Sequence, residues 1–78
     1  MSTRKPRQTR AKVTVDTIIE AGFISVALHG TSGTTNRHIA DIAGVSVGSL
    51  YEYFKNKEEI YDAMAASFVQ EILKMIKD

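Results

Sequence analysis

Apolar residues along this chain recur at helical spacing, and no segment alternates strictly between apolar and polar residues. Between Val13 and His29, the small or apolar residues that fall on one helical face are Val15, Ile18, Ile19, Gly22 and Val26. Gly30 follows at a position where glycine commonly ends a helix, and residues 31–34 have the composition of a loop. The pattern therefore predicts a first helix over residues 13–29 and an all-α fold.

Gly22 lies at the centre of this apolar face. Glycine inside a helix costs about 1 kcal/mol relative to alanine. Either another helix approaches closely at this point, or the glycine is merely tolerated. The sequence leaves both interpretations open.

Two short helices with clear starts and stops follow. Thr35 is suited to cap a helix over residues 36–43, and Gly44 is suited to end it, because glycine adopts positive φ freely. Ser46 is the expected cap of the next helix, 47–54. The residues of these two helices that are expected to face the core are Ile39, Ile42, Ala43, Leu50 and Phe54.

A fourth helix is predicted from Asn56 towards the C-terminus. Asn56 followed by Glu59 is a capping-box pattern with asparagine as the cap, and Glu58 and Glu59 suit the positive end of a helix dipole. A helix of roughly 20 residues is about 30 Å long. It is therefore much longer than the two helices before it.

Composition excludes several classes of protein. A chain of 78 residues is one small domain, and without cysteine it has no disulfide, no thiolate zinc site and no thiol nucleophile. No apolar run approaches the roughly 20 residues of a membrane span, and no hydrophobic stretch follows the charged N-terminus. We expect a soluble, cytoplasmic protein with no membrane partner.

The net charge of +1 conceals an uneven distribution of charge. Residues 1–12 contain five bases and no acid, whereas residues 13–78 contain five bases and nine acids. The first segment has too few apolar residues to pack and is expected to be a flexible basic arm. It is either a solubilising tail or a strand that follows a groove of nucleic acid. The arm residues expected to contact DNA are Arg4, Lys5, Arg7 and Arg10.

The two short helices match the helix-turn-helix pattern when Asn36 is counted as its first position. Small Ala40 is then fifth, Gly44 ninth and apolar Leu50 fifteenth. A small residue lets the helices cross closely, glycine makes the turn, and leucine closes the core beneath both helices. The residues expected on the outer face of the second helix are Val47, Gly48, Ser49, Tyr51 and Tyr53.

The sequence around this pattern resembles the N-terminal domain of the tetracycline-repressor (TetR) family of transcriptional regulators. The segments that carry the resemblance are T-N-R-H-I-A at 35–40, A-G-V-S at 43–46 and G-S-L-Y-E-Y-F-K-N-K-E-E at 48–59. The resemblance extends over about residues 14–65, and its most specific element is Tyr51-x-x-Phe54-x-x-Lys57. Val47 departs from the family, which often has lysine or proline at that position.

The resemblance implies a three-helix, homeodomain-like helix-turn-helix followed by the start of a long fourth helix. It implies a homodimeric regulator, usually a repressor, whose helix 47–54 enters the major groove of a palindromic operator in double-stranded DNA. The expected organisation is a flexible arm at 1–12, the DNA-binding domain at 13–55 and a linking helix at 56–78. A dimerising domain that binds a small-molecule effector would follow the linking helix.

The candidate DNA contacts combine helix caps, exposed polar side chains and small residues. They are Thr35, Asn36, Arg37, Ser46, Val47, Gly48, Ser49, Tyr51, Tyr53 and Lys57. Arg37 and Lys57 lie in the first turns of helices, where their charge opposes the helix dipole, and at Lys57 a phosphate would relieve the repulsion. Arg37 is either a solvated charge or a contact to a phosphate or a guanine edge. The phenols of Tyr51 and Tyr53 either donate to phosphates or pack in the core. The capping side chains first satisfy the N–H groups of their own helices.

Enzymatic chemistry is not indicated. His29 and His38 have no second ligand one turn away, and no nucleophile has a base partner, so we expect neither enzyme activity nor a metal or cofactor. The rival interpretation is a protein-binding helical module without operator specificity, because the last helix has more apolar residues than one stripe can hold. These residues are Phe68, Val69, Ile72, Leu73, Met75 and Ile76.

Overall fold

The computed structural model describes residues 6–77, with side chains from Arg10 onward. These residues form four helices and no strand: α1 (Pro6–Gly33), α2 (Asn36–Ala43), α3 (Val47–Tyr53) and α4 (Lys57–Lys77). The predicted all-α fold, with two short helices followed by a long one, is confirmed.

The first helix begins earlier than the sequence pattern indicates. Proline fits the first position of a helix, because its missing N–H has no helical partner there. The ammonium of Lys12 lies 3.2 Å from the Asp16 carboxylate, and the Thr14 hydroxyl donates to the Arg10 carbonyl at 3.0 Å. The structure therefore places residues 6–12 in α1 and not in a flexible arm, while residues 1–5, which include Arg4 and Lys5, lie outside the described residues.

Gly30 interrupts α1 with a non-helical conformation, φ 79° and ψ 168°. A side chain is strained at this φ, so the predicted break at glycine is confirmed. The loop expected over 31–34 is wrong for its first three residues, which form one more helical turn. That turn closes because the backbone N–H of Thr34 donates to the Gly30 carbonyl at 3.1 Å.

Side chains cap both short helices as predicted. The Thr35 hydroxyl accepts from the backbone N–H of His38 at 3.1 Å, and the Ser46 hydroxyl accepts from the N–H of Ser49 at 3.0 Å. Gly44 ends α2 with a left-handed φ of 77°. The boundaries of α2 and α3 are thus fixed by hydrogen bonds within three residues of each cap.

The start of α4 differs in one detail from the predicted capping box. Asn56 Oδ1 accepts from the N–H of Glu59 at 2.9 Å, as expected for the cap. The Glu59 carboxylate, however, accepts from the N–H of Lys55 at 2.8 Å and not from the cap residue. The second hydrogen bond of the capping box is therefore made by the residue before the cap, Lys55, and not by the cap itself.

One small core joins all four helices. Its buried apolar residues are Ile18, Ala21, Ile39, Ala40, Leu50, Ile60 and Met64. Phe54 and Ala43 pack against this core as predicted, whereas Ile42 is 36% exposed. The α2 helix has only eight residues, and Ile39 and Ala40 already fill its contact with the core, so the side chain of Ile42 stays at the edge.

At Gly22, α1 and α4 approach each other closely. A β-carbon added to Gly22 would lie 2.6 Å from the sulfur of Met64 and 3.5 Å from a methyl group of Ile60. Of the two interpretations, close helix packing is therefore correct, since no larger residue fits without moving Met64.

Two buried hydroxyl groups, one in α1 and one directly after it, form a hydrogen bond with each other. Ser25 and Thr34 are both fully buried, and their hydroxyls lie 3.0 Å apart. This hydrogen bond ties the middle of α1 to the residue that precedes α2. Since each hydroxyl supplies the other's partner, neither is left unsatisfied.

The two long helices run antiparallel. Thr31, near the end of α1, accepts hydrogen bonds from Lys57 and Tyr61 at the start of α4. At the other end, a groove of about 480 Å³ separates Lys12 on α1 from Lys74 on α4. Among the described residues, no helix is long and apolar enough to cross a membrane.

Candidate nucleic-acid interface

The turn between α2 and α3 sets the relative orientation of these helices. The N–H of Gly44 donates to the Asp41 carbonyl at 3.2 Å, and the N–H of Val45 donates to the Ala40 carbonyl at 3.0 Å. These two bonds form a Schellman motif, which needs the left-handed glycine. The side chain of Val45 packs against the core and fixes the point at which α3 begins.

The α3 helix presents one face to solvent. Leu50 is fully buried and defines its inward direction. Gly48 and Glu52, each two residues away, lie on the opposite face and are exposed. Tyr51 and Tyr53 flank that face, with 49% and 37% of their surfaces exposed. The exposed face of α3 therefore has no side chain at Gly48, a carboxylate at Glu52, and the phenol groups of Tyr51 and Tyr53.

Two predicted contacts on α3 are less accessible than expected. The side chain of Val47 is half-buried and packs against the core. Ser49 is also half-buried, and its N–H is engaged with the Ser46 cap. Val47 therefore packs part of its side chain against the core and is not fully on the outer face, and its contact with DNA stays a prediction.

Asn36 and Tyr51 are joined across the helix-turn-helix. Asn36 Nδ2 donates to the Tyr51 hydroxyl oxygen at 3.0 Å. The Oδ1 atom of Asn36 is buried and has no hydrogen-bond partner among the described residues. The sequence pattern placed both residues at the DNA surface but did not indicate this contact, because it joins positions fifteen residues apart.

Lys57 has protein partners of its own. Its ammonium group donates to the Thr34 carbonyl at 2.8 Å and lies 3.5 Å from the Thr31 carbonyl. It also lies 5.7 Å from the centre of the Tyr61 ring. The predicted role as a phosphate ligand is thus joined by a structural one: Lys57 satisfies carbonyl groups at the end of α1, where the helix dipole favours a cation.

The basic residues split into two regions. Arg37 is exposed in the first turn of α2, close to the start of the helix-turn-helix. Arg10 precedes Gly30 by twenty residues, or about 30 Å along α1. The structure therefore brings Arg37 beside the α2–α3 unit but separates Arg10 from the start of α2.

The two histidines stack on each other. The ring centroids of His29 and His38 lie 4.0 Å apart with an angle of 17° between the planes. His38 Nδ1 also accepts from the backbone N–H of Thr35 at 3.3 Å, which completes a capping box at α2. The position of His38, three residues after the cap, is the signal that predicts this role. Within the part of the chain that the structure describes, no cluster of three or more candidate metal ligands occurs.

Comparison with known proteins identifies the same segment. The model of a family described as bacterial regulatory proteins, tetR family, matches residues 18–64. This range includes the buried half of α1, the whole helix-turn-helix and the first third of α4. No solved structure matches the chain.

Several curated proteins are similar over the same region. The chain is 36% identical over 55 residues to YhgD of Bacillus subtilis, described as an uncharacterized HTH-type transcriptional regulator. It is 37% identical over 60 residues to the probable acrEF/envCD operon repressor of Escherichia coli K12, and 36% identical over 61 residues to the HTH-type transcriptional repressor KstR2 of Mycobacterium tuberculosis. These alignments cover 70% to 78% of this chain but only 27% to 30% of the relatives. The chain thus spans less than a third of their length.

Proposed function

This chain belongs to the tetR family of bacterial regulatory proteins, and from that premise we propose that it binds double-stranded DNA through α3 and represses transcription. The observation that carries the proposal is the exposed face of α3. A helix held by a glycine turn, with Gly48 in its first turn and Tyr51 and Tyr53 at the sides of its exposed face, can bring its backbone close to base edges in a major groove about 12 Å wide.

The roles of the side chains follow from their chemistry. Arg37 and Tyr53 are suited to contact phosphates, which fix the register of the helix on DNA. The exposed carboxylate of Glu52 is suited to accept from the amino group of cytosine and would otherwise repel phosphates. Arg37 and Tyr53 would thus position α3 on the DNA, and Glu52 would contact a base.

Charge indicates that α2 and α3 alone bind DNA weakly. These two helices contain one base, Arg37, and two acids, Asp41 and Glu52. Counterion release therefore has to come from other basic residues, such as Arg10. Because one unit binds weakly, we propose a homodimer that reads two half-sites about 34–36 Å apart. We also propose, from the family, an effector-binding domain beyond α4. Such a regulator would act on DNA in the bacterial cytoplasm.

A second candidate function is a protein-binding module. The observation that favours it is the apolar surface of the second half of α4, where Phe68 and Leu73 are each more than half exposed. Exposed apolar surface of this kind marks an interaction site. It does not require DNA, so the two functions make different predictions for the free chain.

The experiment that separates them measures binding of the chain to a pool of random DNA duplexes at several salt concentrations. We expect enrichment of a common half-site and an affinity that falls steeply with salt. Gly48→Leu should weaken binding at least tenfold without lowering the melting temperature, since a β-carbon at Gly48 has no neighbour closer than 3.8 Å. Ala27→Leu, on an exposed position of α1, is the matched control and should bind like the parent. A parent chain that binds no duplex at low salt refutes the proposal and favours the protein-binding module.

A further inference from the structure

The side chain of Asn36 faces a protein partner. Its Nδ2 donates to the Tyr51 hydroxyl oxygen at 3.0 Å and so links the first turn of α2 to α3. Its Oδ1 is buried and has no partner among the described residues. Buried carbonyl groups without a donor are rare and unfavourable, and such local exceptions concentrate at functional sites.

This contact determines the direction of the Tyr51 proton. A phenol oxygen has one proton and also accepts hydrogen bonds. While Asn36 Nδ2 donates to this oxygen, the hydroxyl proton of Tyr51 has to point to a different acceptor. Tyr51 is half exposed, so its donor side is available to a group outside the protein.

We propose that Asn36 is a positioning residue, which holds the Tyr51 hydroxyl as a fixed hydrogen-bond donor for a DNA phosphate. The inference rests on the proposed function of α3. It assigns Asn36 an effect on DNA binding that acts entirely through Tyr51. The hydroxyl is oriented before DNA arrives, so less side-chain freedom is lost on binding.

A double-mutant cycle tests this assignment. Asn36→Leu keeps a similar side-chain size and removes both the donor and the buried carbonyl, and Tyr51→Phe removes the hydroxyl. Binding to a fluorescent mixed-sequence duplex is measured by anisotropy at low salt. Each single substitution should weaken binding about tenfold, and the double variant should be no weaker than Tyr51→Phe. Two independent DNA contacts would instead give about a hundredfold loss, which would overturn the proposal.

Salt dependence supplies a second readout. The Tyr51 hydroxyl is a neutral donor and releases no counterion, so neither substitution should change the slope of log affinity against log salt. Arg37→Gln serves as the contrast, because loss of a charged phosphate contact reduces that slope by about one. A change of slope with Asn36→Leu would contradict a role that acts only through the phenol.

A measurement on the free chain separates this proposal from the proposed function. The ζ-carbon resonance of Tyr51 in NMR reports the hydrogen bonding of its hydroxyl, and Tyr53 is an internal reference on the same helix. Asn36→Leu should move the Tyr51 resonance and leave that of Tyr53 in place. If the chain binds no DNA but the resonance moves, the proposed function fails while the Asn36–Tyr51 bond stands. If the resonance does not move, the positioning role is refuted, whether or not DNA binds.

Discussion

The ammonium group of Lys57 donates to the backbone carbonyl of Thr34 at 2.8 Å and joins the first residue of α4 to the segment that precedes α2. A lysine at the start of a helix opposes the helix dipole, but the carbonyl groups at the end of α1 attract it. The favourable contact of the Lys57 ammonium with carbonyl groups at the end of α1 thus offsets its repulsion by the dipole of α4. Three helices meet at this contact, so Lys57 supports the framework that holds the helix-turn-helix.

Lys57→Met should lower the free energy of unfolding by about 1–2 kcal/mol, because it removes a charge-assisted hydrogen bond and keeps the apolar stem. Urea denaturation measures this change. Lys55→Met, at an exposed position two residues earlier, is the control and should be neutral. If Lys57→Met weakens DNA binding without loss of stability, Lys57 is a phosphate ligand only and the structural role is wrong.

Gly22→Leu should destabilise the fold by about 2–3 kcal/mol, because a β-carbon at this position already meets the sulfur of Met64 at 2.6 Å. Ala27→Leu adds the same side chain to an exposed position of α1 and should change stability little. Thermal unfolding compares the two variants. A second substitution, Met64→Ala in the Gly22→Leu background, should recover part of the lost stability, because the smaller alanine leaves room for the leucine side chain. Equal stability of the two leucine variants would contradict close packing at Gly22.

Glu52→Gln should raise the affinity for mixed-sequence DNA about threefold, because the substitution removes a negative charge from the outer face of α3. Anisotropy titration at low salt measures the change. At a selected half-site the same variant should lose preference for one cytosine, if the carboxylate accepts from its amino group. Glu20→Gln on α1 makes the same charge change away from α3 and should have a smaller effect. Identical behaviour of the two variants would place Glu52 outside the interface.

The basic N-terminal segment is tested by Arg7→Gln together with Arg10→Gln, which removes two charges and leaves helix propensity almost unchanged. If both residues contact phosphates, the slope of log affinity against log salt should fall by about two. Lys74→Gln with Lys77→Gln removes the same charge from the last turn of α4 and serves as the control. An unchanged slope in the Arg7 and Arg10 variant would identify the segment as a solubilising extension.

The apolar second half of α4 should make the chain self-associate at high concentration, because Met75 and Ile76 are each 72% exposed and Phe68 is 58% exposed. Ile72→Glu with Ile76→Glu should abolish this association and leave α1 to α3 folded, as measured by sedimentation and circular dichroism. Ala66→Glu with Gln70→Glu adds the same charge to exposed, less apolar positions of α4 and is the control. A parent chain that remains monomeric at millimolar concentration would contradict the prediction.

Local signals in the sequence are enough to predict the boundaries of the helix-turn-helix. Thr35, Gly44 and Ser46 were assigned as cap, stop and cap, and the structure confirms all three. These signals are reliable because each cap and the glycine turn bond to backbone groups no more than five residues away, so nothing distant can alter the contacts. The apolar spacing of Ile18, Ile39 and Leu50 likewise predicted the core, since helical periodicity fixes the face on which a side chain lies.

The contacts between helices, in contrast, cannot be predicted from local signals and follow from the tertiary packing. The contact of Lys57 with Thr34, that of Asn36 with Tyr51, and the exposed edge position of Ile42 all depend on how the four helices are placed against one another. The sequence also misplaced the start of α1, because charge composition favoured a flexible segment while Pro6 and the Lys12–Asp16 pair permit a helix. A residue's type indicates which bonds it can form, but the partner that it finds across fifteen or more residues is set by the packing of rigid helices around Gly22 and the core.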